Sequence, residues 1–454
     1  MDINKIQTTD KSNKEDMEAA EEKTNFFTNP GYRHYVLLVL FIGYVVNVMD
    51  RAVLGILLEP IKLEFDLTDT QLGLLGGMAF AFFYAVMGIP IAAWADRSSR
   101  TKVLSLAIAL WSGMTALCGM AGSFGTLLMA RVGTAVGEAG GSPPSHSIIS
   151  DYFPLNIRGT ALSLYALGVP IGTMVGSLAA GWGNDLVGWR TTFILIGLPG
   201  IAVALLVRFT IKEPQRGMAD KISSTAVQAT KALPIPVVLK TLWGNVSFRH
   251  LCFAAGLHSF VWYGGSIWNA TFLIRSHSMS SSEAGSWLAL FAAIGAIGTF
   301  LGGYLGDRLS SKTGDKRWYM WVAGYATILM LPFQFFAYMS SDMWVMVPCF
   351  AIMVVLATMF FGPSFAMTQA LATLRSRAIA VSILLFMQTL IGLGLGPLCV
   401  GFISDYLKET AGEDSLGYGL VIVGLVNIWA AVHYFLGART LHADLAKTKA
   451  LSEA

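Results

Sequence analysis

Four ionisable residues lie inside otherwise apolar, membrane-length stretches of this sequence. They are Asp50 and Arg51 in the first stretch, and Arg131 and Glu138 in the fourth. A bare charge near the centre of a bilayer costs between about 2.5 and more than 10 kcal/mol, so these side chains must face partners, water or a ligand. Two acids and two bases suit proton exchange and the binding of an anion. The residues therefore predict that ionic chemistry is concentrated in the first half of the chain.

Arg131 and Glu138 are seven residues apart, about two helical turns, so both side chains lie on one face of a helix. Burial disfavours an ionised carboxylate and a nearby arginine favours it, so a proton and an anionic ligand can compete for the same arginine. Arginine also grips phosphate or carboxylate oxygens with a planar fork that stays charged. The alternative is a set of permanent ion pairs that only hold the first and fourth helices together.

Composition places these residues in a polytopic membrane protein. The 454 residues are 54% hydrophobic, 13% charged and 12% aromatic, which is too apolar for a soluble globular protein. A helix needs about 20 apolar residues to span a bilayer, and twelve such stretches predict an all-α protein with twelve transmembrane helices. The first six cover residues 36–57, 71–94, 103–121, 127–149, 161–182 and 192–207. The second six cover residues 251–273, 284–305, 318–336, 344–367, 378–403 and 417–436.

Lysine and arginine predict the orientation of these helices, because cytoplasmic loops carry the excess of both residues. Of 31 Lys and Arg, 25 lie in the two tails and the even-numbered loops, four lie in odd-numbered loops, and two lie in spans. Both termini should therefore be cytoplasmic. The net charge of +3 follows from this topology and gives no reason to expect a nucleic-acid partner.

The sequence contains an internal duplication, which is typical of transporters that bind substrate between two repeated halves. Three segments recur at offsets of 211 to 220 residues: Asp96-Arg97 with Asp307-Arg308, 158–163 with 377–382, and 181–185 with 401–405. The predicted units are a disordered cytoplasmic tail at 1–31, six-helix halves at 32–211 and 249–438, a cytoplasmic linker at 212–248, and a cytoplasmic tail at 439–454.

The repeated loop charges resemble a motif of the major facilitator superfamily, and the resemblance covers about residues 32 to 440. The superfamily pattern G-x-L-a-D-R-x-G-R-K is matched at Asp96, Arg97 and Arg100, whereas Ala92 and Ser99 replace two glycines. The resemblance implies a cytoplasmic ion-pair gate that stabilises the outward-facing state and breaks in the inward-facing state. Its candidate residues are Asp96, Arg97, Arg100, Asp151, Arg158, Asp307 and Arg308. The alternative is that these charges only set the topology.

Within the superfamily, residues 47–51, 65–75 and 136–153 resemble the Spinster family. Spinster proteins are lipid transporters that handle lysophospholipids and sphingoid phosphates in animals, and the family has bacterial members. By position, the resemblance implies that Asp50 and Glu138 are protonation sites. It also implies that Arg51 and Arg131 meet the substrate phosphate or balance the acids, with Asn47 as a further substrate contact.

The C-terminal half supplies an apolar, aromatic surface that could hold an acyl tail. The candidate contacts are His258, Trp262 and Tyr263 in the seventh stretch and Phe365 in the tenth. A polar first half facing this surface would suit an amphiphile with an anionic head. His258 could also sense pH near neutrality. Alternatively, the aromatics pack against neighbouring helices and His258 is a hydrogen-bonded core residue.

These features predict a proton-coupled secondary transporter that moves an anionic amphiphilic lipid by alternating access. The proton gradient replaces any cofactor or metal, and we expect a lipid-embedded monomer in a bacterial inner membrane. A sugar-acid symporter stays open, because the superfamily's anion:cation symporters also carry an Asp-Arg pair in helix 1 and an Arg and a Glu in helix 4. A multidrug exporter stays open too. An enzyme is not expected, because HExxH, Walker and nucleophile-elbow motifs are missing.

Overall fold

The structure is a computed structural model that describes residues 29–220, 235–373 and 376–453. Within these ranges the secondary structure is helical, and no strand occurs. Nearly all of the predicted N-terminal tail and residues 221–234 of the predicted linker lie outside the described residues.

Twelve membrane-length helical segments, α1 to α12, follow one another along the chain. The first half contains α1 (Pro30–Phe65), α2 (Asp69–Arg97), α3 (Arg100–Gly119), α4 (124–152), α5 (155–187) and α6 (189–210). The second half contains α7 (Val246–His277), α8 (Ser281–Thr313), α9 (Trp318–Met339), α10 (Met343–Ala370), α11 (377–411) and α12 (415–453). A short helix, Ile235–Trp243, precedes α7. The prediction of twelve spans in two six-helix halves is confirmed.

Eight stretches of the described residues are long and apolar enough to cross a membrane by composition alone, and two of these contain two spans each. One of the two is Asn156–Thr210, which folds back at Gly188. The φ angle of 78° at Gly188 lies in the left-handed region that glycine adopts without strain. The remaining two spans are α4 and α7. α4 is interrupted between Glu138 and Ser142, and both helices carry polar side chains in their interior.

Among the described residues, the closest contacts between the two halves lie toward one side of the membrane. We call the side where the inter-half linker follows α6 the linker side, and the other the opposite side. At the opposite side the helices approach closely through glycines: a Cβ atom on Gly73 of α2 would lie 2.5 Å from the Pro397 carbonyl oxygen of α11. A Cβ atom on Gly181 of α5 would lie 2.4 Å from the Ser281 carbonyl oxygen of α8. Small residues allow this backbone contact between membrane helices.

The hydrogen bonds and ion pairs that join the halves within the described residues also cluster at the opposite side. At the linker side the facing helix ends are exposed. The Asp96 side chain near the end of α2 is 74% exposed, and Arg377 at the start of α11 is exposed as well. The structure is therefore closed at the opposite side and open at the linker side.

The last helix extends further than the sequence analysis predicted. The predicted tail at 439–454 continues α12 as a helix to Glu453 and packs against its own half. Leu441 is 0% exposed, Asp444 accepts a hydrogen bond from the Ser247 amide at 2.8 Å, and Thr448 donates to the Leu371 carbonyl at 3.3 Å. This extension therefore braces the linker-side ends of α7 and α10.

Candidate functional site

Packing of α1 against α4 brings the predicted ionisable residues together inside the first half. Arg51 Nε donates a hydrogen bond to Glu138 Oε2 at 2.5 Å, which forms an ion pair between residues 87 positions apart. Asp50, Arg131 and Glu138 are 0%, 2% and 1% exposed, respectively. The predicted grouping of these charges thus exists in the folded chain, with one ion pair across the two helices.

Glycines set the positions of α4 and α1. A Cβ atom on Gly137 would lie 2.6 Å from the Trp111 backbone nitrogen, so the absence of a side chain allows α4 to approach α3 next to Glu138. On the other side, a Cβ atom on Gly176 of α5 would lie 2.9 Å from the Met49 Cα atom of α1. These contacts hold Glu138 and Asp50 at fixed depths in the bundle.

Asp50 has a different partner from the one that an ion-pair interpretation suggests. Thr115 of α3 donates its hydroxyl proton to Asp50 Oδ2 at 3.1 Å. Asp50 Oδ1 has no hydrogen-bond partner among the described residues. The carboxyl group is therefore held by a neutral donor and keeps one oxygen available for a proton. Of the four charges, only Arg51 and Glu138 form an ion pair with each other among the described residues.

Two aromatic residues of α2 hold the arginines. The Arg51 guanidinium lies 5.2 Å from the centre of the Phe80 ring and 4.8 Å from that of Tyr84. Arg131 lies 5.2 Å from the same Phe80 ring. Cation–π contacts of this kind orient a guanidinium and leave its N–H groups available for a ligand. Because the Arg51 side chain is 31% exposed, those groups can be reached from the space between the halves.

Several buried polar atoms around this cluster have no hydrogen-bond partner among the described residues. They are Arg131 Nε and Nη1, Glu138 Oε1, Asn47 Nδ2 and the Asp50 Oδ1 atom already described. Buried polar groups in folded proteins nearly always have partners. The cluster can therefore donate to an anion through Arg131 and accept protons at two carboxylates.

The C-terminal half reaches this cluster through Tyr263. Gly55 of α1 packs closely against α7, since a Cβ atom added at Gly55 would lie 3.2 Å from the Ile267 carbonyl oxygen. Arg51 lies one turn from Gly55 on the linker side. Tyr263 lies one turn to the linker side of Ile267 and packs against a small apolar cluster that includes Phe80 and Leu393. The site therefore lies directly below the closed side, at the innermost part of the opening.

The other predicted contacts of the second half lie in core packing. Trp262 is partly buried against the main hydrophobic core, and Phe365 is partly buried against the second core of the C-terminal half. His258 is 0% exposed; its Nε2 lies 2.8 Å from the Ala357 carbonyl oxygen and its Nδ1 lies 3.0 Å from Thr327 Oγ1. Both ring nitrogens of His258 are thus occupied, and the structure corrects its placement from the substrate surface to the core.

Thr115, Phe80 and Tyr84 were not among the residues that the sequence predicted for this site. The spacing of Phe80 and Tyr84 places them on one helix face and could have identified them, whereas Thr115 has no such signal.

Arg100 is the most buried of the predicted gate residues of the first half, at 1% exposed. Arg100 forms ion pairs with Asp151 and with Glu213 of the linker, the latter at 2.8 Å between Nε and Oε1. Burial opposes ionisation of Glu213, but hydrogen bonds from the Thr101 amide and from Arg100 outweigh it and hold the pKa of Glu213 below its ordinary value. Sequence analysis did not identify Glu213 as part of this cluster.

The described contacts of the remaining gate residues also lie within single halves. Asp96 lies 3.7 Å from Arg216, and Arg158 Nε donates to the Phe153 carbonyl at 3.0 Å. In the second copy, Asp307 accepts a hydrogen bond from the Tyr319 hydroxyl at 2.5 Å. Arg308 donates to the Tyr304 hydroxyl at 2.6 Å, and Arg97 lies at the end of α2.

The expectation that the whole gate breaks when the linker side opens does not hold for the Arg100 and Asp151 pair. This ion pair is intact in a structure that is open at the linker side. Both residues belong to the first half, so movement of one half relative to the other does not separate them. The gate role of the other residues stays a prediction.

Comparisons with known proteins agree with this architecture. A model of the Major Facilitator Superfamily matches residues 40–397 and 251–450. An MFS-type efflux pump of Mycolicibacterium smegmatis is 31% identical over 415 residues, which cover 90% of this chain and 93% of the pump. Protein spinster homolog 1 of Xenopus tropicalis is 24% identical over 464 residues, which cover 95% of this chain and 86% of that protein.

A solved structure resembles the chain along nearly its whole length. It is the crystal structure of a bacterial homologue of the human lysosomal transporter Spinster, in an inward-facing and unoccupied conformation. The two chains are 34% identical and superpose with a TM-score of 0.83, over 92% of this chain and 99% of the other. The present chain is therefore an integral membrane transporter, not an enzyme, and it belongs to the Spinster family of the major facilitator superfamily.

Proposed function

We propose that this chain is a proton-coupled transporter of an anionic amphiphilic lipid, of the lysophospholipid or sphingoid phosphate class, and that it works by alternating access. The observation that carries the proposal is the cluster of two arginines and two carboxylates at the innermost point of the opening between the halves. Several of its N–H groups and oxygens have no hydrogen-bond partner among the described residues. A transporter needs its charged site at this position, where either side of the membrane can reach it in turn.

The arginines would bind the lipid headgroup. Arg131 keeps two buried donors that have no partner in the described part of the chain, and Arg51 is the more exposed of the two guanidinium groups. A phosphate is a bidentate acceptor for each group. Phe80 faces both arginines and would fix their orientation during binding.

Substrate binding and proton uptake would be coupled because the phosphate and Glu138 compete for Arg51. A phosphate that binds Arg51 displaces Glu138, which leaves a buried carboxylate without its counter-ion. Taking up a proton removes that cost. Asp50 is a second acceptor, since Thr115 can remain its partner in either protonation state. Headgroup binding and proton uptake would thus be linked.

The acyl chain would lie against the aromatic and aliphatic side chains between the halves. Phe80 and Tyr84 come from α2, while Tyr263 and Leu393 come from α7 and α11. These residues adjoin the arginines, so one ligand could contact both. An amphiphile fits this combination of charge and apolar surface better than a small polar acid does.

The linker side would face the cytoplasm, because the predicted cytoplasmic loops and tails carry 25 of the 31 Lys and Arg. The described conformation would then be the cytoplasm-open one. We place the protein in a bacterial inner membrane and propose that a monomer is the working unit, because each chain contains both halves of the site.

Transport of a labelled lysophospholipid in proteoliposomes, with and without an imposed proton gradient, tests this function. Lipid transport that responds to the gradient is expected, and Asp50→Asn and Glu138→Gln should lose the response while remaining folded. A labelled sugar acid run in parallel decides between substrate classes. Transport of the sugar acid alone would reassign Arg51 and Arg131 to carboxylate recognition, and an unchanged pH response in both variants would refute the coupling role.

A further inference from the structure

The repeated segments 181–185 and 401–405 have no part in the site described above. Each has the pattern Gly-x-x-x-Asp, and the two are 220 residues apart. One lies toward the opposite-side end of α5 and the other at the corresponding position of α11. In the folded chain each segment contacts the first residues of a helix that belongs to the other half.

The second segment contacts the start of α2. Asp405 Oδ1 accepts a hydrogen bond from the Asp69 amide at 2.9 Å, and Oδ2 accepts from the Thr70 amide at 2.7 Å and the Thr70 hydroxyl at 2.6 Å. A Cβ atom on Gly401 would lie 2.3 Å from the Asp69 carbonyl oxygen. Because the first amides of a helix have no partner within it, Asp405 caps α2 from the opposite half.

The first segment contacts the start of α8 in the same way. Asp185 Oδ2 accepts a hydrogen bond from the Ser282 amide at 2.8 Å. A Cβ atom on Gly181 would lie 2.4 Å from the Ser281 carbonyl oxygen, and Asn184 Nδ2 donates to Ser281 Oγ at 2.9 Å. Asp69 and Ser281 are each the first residue of their helix, so the two contacts are equivalent.

We propose that Gly181–Asp185 and Gly401–Asp405 are a pair of pseudo-symmetric latches that close the transporter at the opposite side. In each latch the glycine permits backbone contact, and the aspartate four residues later caps a helix of the other half. When the halves separate at this side, both caps must break. The inference rests on the proposed alternating access and is independent of the substrate.

The two latches differ in strength. Asp69, at the α2 latch, is 2% exposed, and its carboxylate binds Arg275 of α7 through two contacts of 2.9 Å. From the other half, Ser404 of α11 donates to the same carboxylate at 2.7 Å, and Lys62 of the first half donates to it at 2.5 Å. Buried, charge-assisted contacts of this kind are stronger than exposed ones.

At the α8 latch, by contrast, Asp185 is exposed. We therefore assign most of the stability of the closed state to the latch between α2 and α11 together with the adjoining contacts of Asp69 with Arg275 of α7.

Distances between spin labels test the latches directly. Cysteines introduced by Leu63→Cys and Trp344→Cys carry the labels, because both positions are exposed, at 75% and 89%, near the opposite-side ends of α1 and α10. Asp405→Asn and Asp185→Asn are compared with Glu409→Gln. Glu409 is an exposed acid one turn beyond Asp405 on the same helix, which makes it a matched control for the loss of charge.

Asp405→Asn exchanges a carboxylate oxygen, which accepts a hydrogen bond from a backbone amide, for an NH2 group that cannot accept one. The ratio of molecules open at the opposite side to molecules closed there should therefore rise about tenfold. Asp185→Asn should give a smaller rise, and Glu409→Gln none. The same distances in all variants, or an equal change in the control, would overturn the proposal. Should Asp405→Asn fail to fold, Asp185→Ala must raise the open fraction for the proposal to stand.

The distance measurement needs no substrate, so it separates this proposal from the proposed function. A shifted distance distribution without lipid transport would refute the substrate class and support the latches.

Discussion

Arg51 combines three features at one side chain: an ion pair with Glu138, contacts with two aromatic rings, and access to the space between the halves. An arginine that served only to join α1 to α4 would not need the third. Arg131, by contrast, is buried and keeps two donors without a partner among the described residues. We therefore propose separate roles for the two guanidinium groups, with Arg51 as the exchangeable group and Arg131 as the fixed positive charge.

Arg51→Ala should abolish lipid binding, because the variant loses the accessible guanidinium and leaves Glu138 buried without a counter-ion. We expect at least a hundredfold loss of affinity, consistent with about 3 kcal/mol for a buried charge-assisted contact. Binding of a labelled lysophospholipid to purified protein measures it. Arg208→Ala at the exposed linker-side end of α6 is the control and should bind as the wild type does. Wild-type affinity in Arg51→Ala would contradict the headgroup role.

At the scale of elements, neighbouring glycines have unequal roles in helix packing. On α8, a Cβ atom on Gly302 would lie 1.9 Å from the Met359 carbonyl oxygen of α10, whereas a Cβ atom on Gly303 would have no atom within 4 Å. The sequence contains both glycines side by side, and only the packing of α8 against α10 distinguishes them.

Gly302→Ala should therefore destabilise the C-terminal half by about 1 to 3 kcal/mol through overpacking. Gly303→Ala should be neutral or slightly stabilising, because alanine favours the helix more than glycine does. Thermal unfolding of the two variants in the same detergent makes the comparison. Equal melting temperatures would show that α8 and α10 are further apart than in the structure.

The linker is attached to α3 by Glu213, whose pKa lies below its ordinary value of 4.5. A lowered folded-state pKa adds stability above that ordinary value, and this contribution disappears as the pH falls through the lower folded-state value. Glu213→Gln should therefore cost about 1 kcal/mol at pH 7 and progressively less below pH 4.5. Melting temperatures of wild type and variant between pH 7 and 4 measure this, with Glu409→Gln as the exposed control. A cost that does not depend on pH would contradict the ionic attachment.

At the scale of the whole molecule, the two halves form one closed contact and one opening. Close packing at the opposite side depends on contacts between helices from different halves, such as Asn184 with Ser281 and Asp69 with Arg275. If transport requires these contacts to break, a covalent bond across them must stop it.

The double variant Asn184→Cys and Ser281→Cys should lose transport on oxidation and regain it on reduction, because the native side chains are 2.9 Å apart across the two halves. Ser247→Cys with Thr440→Cys is the matched control, since its native hydroxyl oxygens lie 2.7 Å apart within one half. Oxidation of the control should leave transport intact. Continued transport by the oxidised cross-half pair would exclude alternating access through opening at this side.

Sequence alone identified the twelve spans, the duplication and the four central charges. Spans and intramembrane charges can be recognised from the sequence because the bilayer acts on each segment separately. It requires a minimum apolar length for each span and penalises each charge inside a span, whichever helices lie next to that segment. The family resemblance followed from the same residues. His258 shows the limit of this reasoning: a polar residue within a span can be satisfied by two neighbouring helices and never face a ligand.

Tertiary structure decided which groups meet. Thr115 holds Asp50, Phe80 lies between two arginines, and Asp405 caps a helix that begins 336 residues earlier in the chain. None of these pairings has a local signal, because each depends on how helices from distant segments are rotated and how closely they pack. Which side is closed depends further on how the two halves are tilted, and the proposed alternating access requires that the same sequence permit both tilts. Composition and spacing therefore determined the parts of the transporter, and packing between helices determined the site and its latches.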